Sequence, residues 1–122
     1  FWDLLRLMQQ SKIVLNIDPN FSNGGHERVF SAMLNGAVAL TNINGFYAEE
    51  FSDGKEVILY SWNKLGDLPE KITHILGNSE KFESIRLAGQ QTAEKYHTWS
   101  ERAKRILEIV ETYKSLKHIH VS

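Results

Sequence analysis

The sequence predicts an α/β domain with a parallel sheet. Short apolar runs rich in β-branched residues lie at residues 13–17, 37–41 and 57–60, and near-continuous runs of this kind are typical of strands buried on both faces, as in a parallel sheet. Segments with helical spacing of apolar residues lie before, between and after these runs. Strands that alternate with helices indicate an α/β fold, in which right-handed crossovers place helices on both faces of the sheet.

The first half of the chain surrounds two of these strands with helices. Residues 1–11 have the apolar spacing of a short amphipathic helix. Asp18, Pro19 and Asn20 end the first strand, because these residue types favour turns. The next helix ends at Gly36, which we expect at the C′ position, and its inward face carries Val29, Phe30, Met33 and Leu34.

The second half is mainly helical. Turn residues 42–45 lead into a short helix over residues 47–51, and the third strand follows. Asp67, with Pro69 and Glu70 behind it, predicts a helix start. Ser79 is expected to cap a second helix and Thr98 a third, whose apolar stripe holds Ile106, Leu107, Ile109, Val110 and Tyr113. We expect Trp62 and Trp99, at the starts of elements, to be packing anchors.

Composition narrows the class of protein. The 122 residues suffice for one domain, with 42% hydrophobic and 24% charged residues. Fourteen basic residues balance fifteen acidic ones, which argues against a nucleic-acid partner, since such proteins carry a basic excess. The absence of cysteine excludes disulfides and thiolate metal sites and fits a reducing compartment, so we expect a cytoplasmic location.

The ends of the chain suggest a fragment. The sequence starts at Phe1, without an initiator Met and already in helical spacing. We therefore expect a piece of a longer protein, with one domain over residues 1–117 and a disordered tail over residues 118–122. Three strands make a narrow sheet with an exposed apolar edge. We expect this edge to be covered either by helix 1–11 or by a second copy of the chain, which would form a homo-oligomer.

A glycine pair leads from the first strand into the helix that follows. In open parallel sheets, ligands bind beyond the carboxyl ends of the strands, and a helix start favours an anion through its free N–H groups and dipole. Gly24 and Gly25 would let the main chain approach a phosphate, with His26 or Arg28 as an added donor. Neither a Walker loop nor a dinucleotide fingerprint is present, so a plain glycine turn before a solvated cap is the alternative.

Two longer stretches are similar to a known family. Residues 26–61, HERVFSAMLNGAVALTNINGFYAEEFSDGKEVILYS, and residues 88–107, AGQQTAEKYHTWSERAKRIL, resemble the C-terminal domain of group 1-type glycosyltransferases of the GT-B fold, in the spore-maturation glycosyltransferase-like branch. The likeness covers about residues 12–109. Its motif positions are matched here by Ala32, Gly36, Glu49, Asp53, Gly54, Thr98, Trp99 and Arg102.

The resemblance implies a Rossmann-like, three-layer domain that binds a nucleotide diphosphate sugar as donor substrate. It implies no cofactor and no metal, and a missing N-terminal domain of the same protein for the acceptor. The diphosphate would lie over the glycine pair and the helix start, with Glu27 and Arg28 as candidate catalytic residues. The implied donor-binding residues are Asn23, Gly24, Gly25, His26, Ser31, Asn44, Gly45 and Glu49.

Two positions depart from the family pattern. Ser31 stands where relatives have the glutamate that contacts the ribose, and Asn23 stands where they have another glutamate. A serine hydroxyl makes a weaker, uncharged contact than a carboxylate, although Glu27 lies one turn earlier on the same helix face. A non-catalytic binding or assembly module on the same fold is therefore the alternative function. A response-regulator-like domain is disfavoured, because no acidic pocket with a phospho-accepting aspartate is evident.

Overall fold

The computed structural model describes the backbone of residues 1–121 and the side chains of residues 1–118. Strands β1 (Ile13–Asn16), β2 (Val38–Asn42) and β3 (Ile58–Tyr60) form a parallel sheet in the order β1-β2-β3. The helices of this part of the chain are α1 (Trp2–Gln10), α2 (Glu27–Leu34), α3 (Gly45–Glu50), a 3₁₀ helix (Trp62–Asp67), α4 (Leu68–Leu76), α5 (Ser79–Tyr96) and α6 (Trp99–Val121). The predicted α/β class and the order of elements are confirmed.

Strands β2 and β3 are buried on both faces, as their apolar runs predict, whereas β1 is only partly buried, with Leu15 exposed. Side chains alternate along each strand, so that Ala39 and Leu59 face one layer and Leu40 and Ile58 face the other. The first layer is built from α1, α2 and α3, and it contains the buried side chains of Met8, Val29, Phe30, Met33, Tyr47 and Phe51. The second layer is built from α4 and the first half of α5, with Ile72, Ile75, Phe82 and Ile85.

Helix α5 joins the two layers at the amino ends of the strands. Its Ile85 packs in the second layer, whereas Ala93, two turns later, packs in the first. At the crossing, a Cβ atom on Gly89 would lie 2.5 Å from the main-chain oxygen of Glu56, just before β3. The absence of that atom allows the close approach. At the carboxyl ends of the strands, on the opposite side of the sheet, the loops lie instead.

Helix caps agree with the sequence in part. Gly36 has φ +82° after α2, as a C′ glycine does, and the Thr98 hydroxyl accepts from the Glu101 N–H at 3.2 Å. Helix α5, however, is capped by Asn78, whose side chain accepts from the Lys81 N–H at 3.1 Å. The predicted cap, Ser79, is the first residue of that helix, because the asparagine one position earlier already reaches the N–H at N3.

Helix α6 differs from its prediction in both length and packing. It continues to Val121, through residues 118–121 of the predicted disordered tail, while Ser122 lies outside the described residues. Its apolar stripe is exposed, and Trp99, with 76% of its surface accessible, is not a packing anchor. Salt bridges between residues three apart, such as Lys104–Glu101 and Lys114–Glu111, support a helix that has little tertiary packing.

The outer edge of β1 is open in the described part of the chain. Helix α1 packs through Leu5 and Met8 into the first layer rather than over this edge. Leu15 and Ile17 are about half exposed, at 46% and 50%, so the predicted cover by a second copy stays a prediction. Within the described residues, no helix combines the length and the apolar character that crossing a membrane requires.

Candidate functional site

Buried polar side chains gather at the carboxyl ends of β1 and β2. The Asn16 amide donates to Oδ2 of Asp18 at 2.7 Å and to the Thr41 hydroxyl at 3.0 Å. The Asp18 N–H donates to the side-chain oxygen of Asn42 at 2.7 Å. All four residues are buried, and buried polar groups persist when they are hydrogen-bonded to one another. The network therefore fixes the geometry of the strand ends.

Tyr47 connects this network to the loop before α2. Its hydroxyl donates to Oδ2 of Asp18 at 3.0 Å and accepts from the His26 N–H at 2.8 Å. Burial raises the pKa of Tyr47 to about 12, and the neighbouring Asp18 carboxylate also raises it. The phenol is therefore a neutral donor, and it positions the start of α2 against the strand ends.

The loop that carries the glycine pair is held from the side of α3. The Asn44 amide donates to the main-chain oxygen of Gly24 at 2.9 Å, and the Gly45 N–H donates to the oxygen of Ser22 at 3.1 Å. Gly24 has φ +119°, in the region that favours glycine. A Cβ atom on Gly25 would lie 2.6 Å from the Phe30 ring. Gly24 is thus favoured by its backbone conformation and Gly25 by the close approach of the Phe30 ring.

A cavity of about 370 Å³ opens between this loop, α2 and the start of α6. Its mixed walls combine glycine main chain, a carboxylate, a hydroxyl, aromatic rings and a guanidinium. It is lined by Gly24, Gly25, Glu27, Phe30, Ser31, Leu34, Phe46, His97, Trp99 and Arg102. Such a surface suits a ligand that carries an anion, hydroxyl groups and a flat ring.

Four of the predicted site residues, Gly24, Gly25, Glu27 and Ser31, line this cavity. The others support it or lie apart. His26 is the N-cap of α2, where its Nδ1 accepts from the Arg28 N–H at 3.0 Å. Asn44 and Gly45 hold the loop. Asn23 lies beside them, because a Cβ atom added to Gly45 would lie 3.3 Å from the Asn23 Oδ1. Glu49 is exposed on α3 and does not line the cavity.

Arg28 points toward the strand ends. Its Nη1 donates to the side-chain oxygen of Asn16 at 2.8 Å, and Arg28 is not among the residues that line the cavity. This contact satisfies the remaining polar atom of the Asn16 amide. The predicted catalytic role of Arg28 stays a prediction.

Sequence reasoning did not place the junction of α5 and α6 in the site. His97 is buried, and its ring stacks on Phe30 with centroids 4.8 Å apart. Its Nδ1 lies 3.3 Å from Nη2 of Arg102, and its Nε2 lies 3.6 Å from a carboxylate oxygen of Glu50. Burial, and then the positive charge of Arg102, lower the pKa of His97. The His-Thr-Trp…Arg motif in the sequence resembles the family pattern, but it does not indicate that these residues lie beside the glycine loop.

A second cavity, of about 290 Å³, lies beyond the end of β3. The Lys71 ammonium in its wall binds Oδ2 of Asp53 at 3.1 Å and the main-chain oxygen of Leu59 at 2.7 Å. The lining also holds the ammonium of Lys64 and the carboxylate of Asp67, so two positive and two negative side chains face this cavity. In the described part of the chain, no three histidine or acidic side chains come together as a metal site.

Comparisons with known proteins agree on the fold. A family model described as glycosyl transferase-like matches residues 2–108, which confirms the resemblance found over residues 12–109. No curated protein matches the chain. The crystal structure of Anabaena Alr3699/HepE in complex with UDP-glucose is similar, with a TM-score of 0.77 and 19% identity. The match covers 88% of this chain and 29% of that one.

Two further complexes of the same Anabaena protein give the same result. The complex with UDP matches with a TM-score of 0.77 and 19% identity, and the complex with UDP and glucose with 0.75 and 18%. Both matches cover 88% of this chain and 29% of the other. The likeness identifies the fold as that of a GT-B glycosyltransferase domain. The chain thus spans less than a third of the length of the structures it matches.

Proposed function

Because this chain belongs to the glycosyl transferase-like family, we propose that it is the donor-binding part of a glycosyltransferase. It would bind a nucleotide diphosphate sugar, from which the whole protein transfers the sugar to an acceptor. The observation that carries the proposal is the cavity bounded by Gly24, Gly25 and the start of α2. One of its walls is the loop that follows β1, on the carboxyl side of the parallel sheet, where α/β proteins bind their ligands.

The diphosphate is proposed to lie over the glycine pair. Glycines allow the main chain to approach a phosphate closely, and the dipole at the start of α2 favours the negative charge. The loop is already held by Asn44, Gly45 and the Tyr47 hydroxyl. Little ordering would therefore be needed on binding, and pre-organisation of this kind favours affinity.

The ribose is proposed to lie beside Ser31 and Glu27. Both residues line the cavity and lie one turn apart on α2. A carboxylate accepts hydrogen bonds from two hydroxyl groups, which a serine does not match. Glu27 would thus supply the charged contact that Ser31 lacks. The sugar would then extend toward α3, where Asn44, Gly45 and Glu49 are the predicted contacts.

Catalysis would be mainly electrostatic. Negative charge develops on the departing diphosphate, and donors already in place stabilise it in the transition state. The main-chain N–H groups at the start of α2 that neither Tyr47 nor the His26 cap engages, together with the predicted cation Arg28, would serve this purpose. The acceptor is expected to bind outside these residues, since the chain spans 29% of the HepE chain. We therefore expect no transfer by the 122 residues alone.

Calorimetric titration tests the proposal. UDP, GDP and ADP are each added to the chain, with the matching nucleosides as controls for the diphosphate. We expect saturable binding of at least one diphosphate, at higher affinity than its nucleoside. If none of the three binds to a chain with a well-dispersed amide spectrum, the proposal is wrong.

A second candidate function is a non-catalytic module on the same fold. The observation that favours it is the pair of departures at Asn23 and Ser31, which remove two carboxylates from the family pattern. Such a module would keep the fold and the loop but lose the donor. The same titration separates the two functions, because the module predicts no binding of any nucleotide.

A further inference from the structure

We infer that Arg102, in the first turns of α6, supplies the cation that contacts the diphosphate of the donor. The inference deepens the proposed function and rests on it. It names the group that recognises the anion within the cavity. The resemblance matched Arg102 to the family motif as the start of a helix and gave it no role in binding.

Arg102 and the glycine loop meet at one aromatic ring. The guanidinium carbon of Arg102 lies 5.0 Å from the centroid of the Phe30 ring. The main chain of Gly25 is so close to the same ring that a Cβ atom there would lie 2.6 Å from it. Both residues line the same cavity. A phosphate over the glycine pair would therefore lie on the same side of the molecule as the guanidinium.

The charge of Arg102 is not neutralised within the described part of the chain. Its neighbours on α6 differ in this respect, since Lys104 pairs with Glu101 and Arg105 with Glu108. Among these residues, its guanidinium contacts the Phe30 ring and Nδ1 of His97. A guanidinium has five N–H donors, and paired donors of this kind match the geometry of a phosphate.

The His97 ring orients the guanidinium of Arg102 through the contact at Nδ1. This ring is fixed between Phe30, on which it stacks, and Phe51, whose centroid lies 5.6 Å away. A neutral imidazole with its proton on Nε2, facing Glu50, leaves Nδ1 free to accept from Arg102. The guanidinium is thereby held by one edge, and its other donors are available to a ligand.

Arg28 is the other arginine near the loop, and its position differs. Its Nη1 donates to the buried Asn16 amide at 2.8 Å, so one edge of this guanidinium is engaged at the strand ends. Arg102 lines the cavity and Arg28 does not. The contact that holds the ground-state diphosphate is accordingly assigned to Arg102.

The test compares Arg102→Gln with Arg105→Gln, an arginine one turn away that is exposed and paired with Glu108. Each variant is titrated with UDP, GDP and ADP and with their nucleosides. We expect Arg102→Gln to weaken diphosphate binding roughly tenfold or more and to leave nucleoside binding unchanged, while Arg105→Gln matches the wild type. Equal affinities in the two variants overturn the inference and leave the proposed function intact. Failure of every diphosphate to bind the wild type overturns both.

A measurement on the unaltered chain guards against misfolding of the variant. Inorganic pyrophosphate is added while the Nε–H signals of the arginine side chains are followed by NMR. We expect the Arg102 signal to shift in a saturable manner and the Arg105 signal to stay in place. Movement of both to the same extent, or of neither, contradicts the inference.

Discussion

The side-chain amide of Asn44 donates to the main-chain oxygen of Gly24 at 2.9 Å, and its Oδ1 accepts from the Tyr47 N–H at 2.9 Å. One side chain therefore caps α3 and holds the glycine loop before α2. These elements lie after different strands, so the contact joins two of the loops at the carboxyl edge of the sheet.

Asn44→Ala is expected to lower both stability and nucleotide affinity. It removes the α3 cap and the bond to Gly24, at a cost of about 1–2 kcal/mol in the free energy of unfolding. Asn78→Ala is the matched control, because the Asn78 side chain also caps a helix, at the Lys81 N–H, and makes no other hydrogen bond within the described part of the chain. Urea denaturation and calorimetry measure the two effects. Nucleotide affinity that falls equally in both variants would contradict the role of Asn44 in the loop.

Gly25→Ala is expected to destabilise the fold by about 1–3 kcal/mol, because the added methyl group overlaps packed rings. Its Cβ would lie 2.6 Å from Phe30 and 2.8 Å from Phe46. Gly66→Ala is the control, since a Cβ at that glycine meets nothing within 4 Å. Thermal unfolding compares the two variants. If Gly25→Ala unfolds no earlier than Gly66→Ala, the close packing of the loop is wrong.

Ser31→Glu is expected to raise the affinity for a nucleoside diphosphate roughly tenfold, because a carboxylate binds ribose hydroxyls more strongly than a serine does. Ser31 lines the cavity, so the added carboxylate can reach a ligand there. Ser84→Glu, exposed on α5, controls for the added charge. The gain should disappear with the 2′,3′-dideoxy analogue. An equal gain for both ligands would place the ribose elsewhere.

His97 is expected to make stability depend on pH. Since burial lowers the pKa of the folded His97 below 6.5, the unfolded chain takes up a proton at higher pH than the folded one. The free energy of unfolding should therefore fall as the pH is lowered through 6.5 toward the folded pKa. Urea denaturation between about pH 5 and pH 7.5, the range in which histidines titrate, should show this decline in the wild type and a weaker one in His97→Gln. A decline of the same size in both would assign it to other groups.

Much of the fold could be predicted from local patterns. Apolar runs such as residues 37–41 identify strands buried on both faces, and Gly36 and Thr98 mark helix ends through local backbone chemistry. The end of α6 was not predictable in this way. The loss of apolar periodicity after residue 113 suggested a tail, whereas a helix needs no buried stripe when salt bridges along its surface support it.

The candidate site could be predicted where it is continuous in sequence. Gly24, Gly25, Glu27 and Ser31 follow one strand, and the rule that ligands bind at the carboxyl ends of strands indicates this segment. All four line the cavity, and their role in binding stays a prediction. His97 and Arg102 are distant in sequence, and their place beside Phe30 depends on how α5 crosses beneath the sheet. The direction of Arg28 toward Asn16 likewise depends on a tertiary contact. Neither arrangement follows from spacing along the chain.

The most direct test of the central claim is an NMR titration that maps where a nucleoside diphosphate binds. UDP, GDP and ADP are added in turn while the amide signals of the chain are followed. The account predicts that at least one of them causes saturable shifts of the amide signals of residues 23–31 and 44–49. The amide signals around Arg102 are expected to shift as well. Shifts confined to the cavity around Lys71 and Asp53, or no shifts with any of the three, would contradict it.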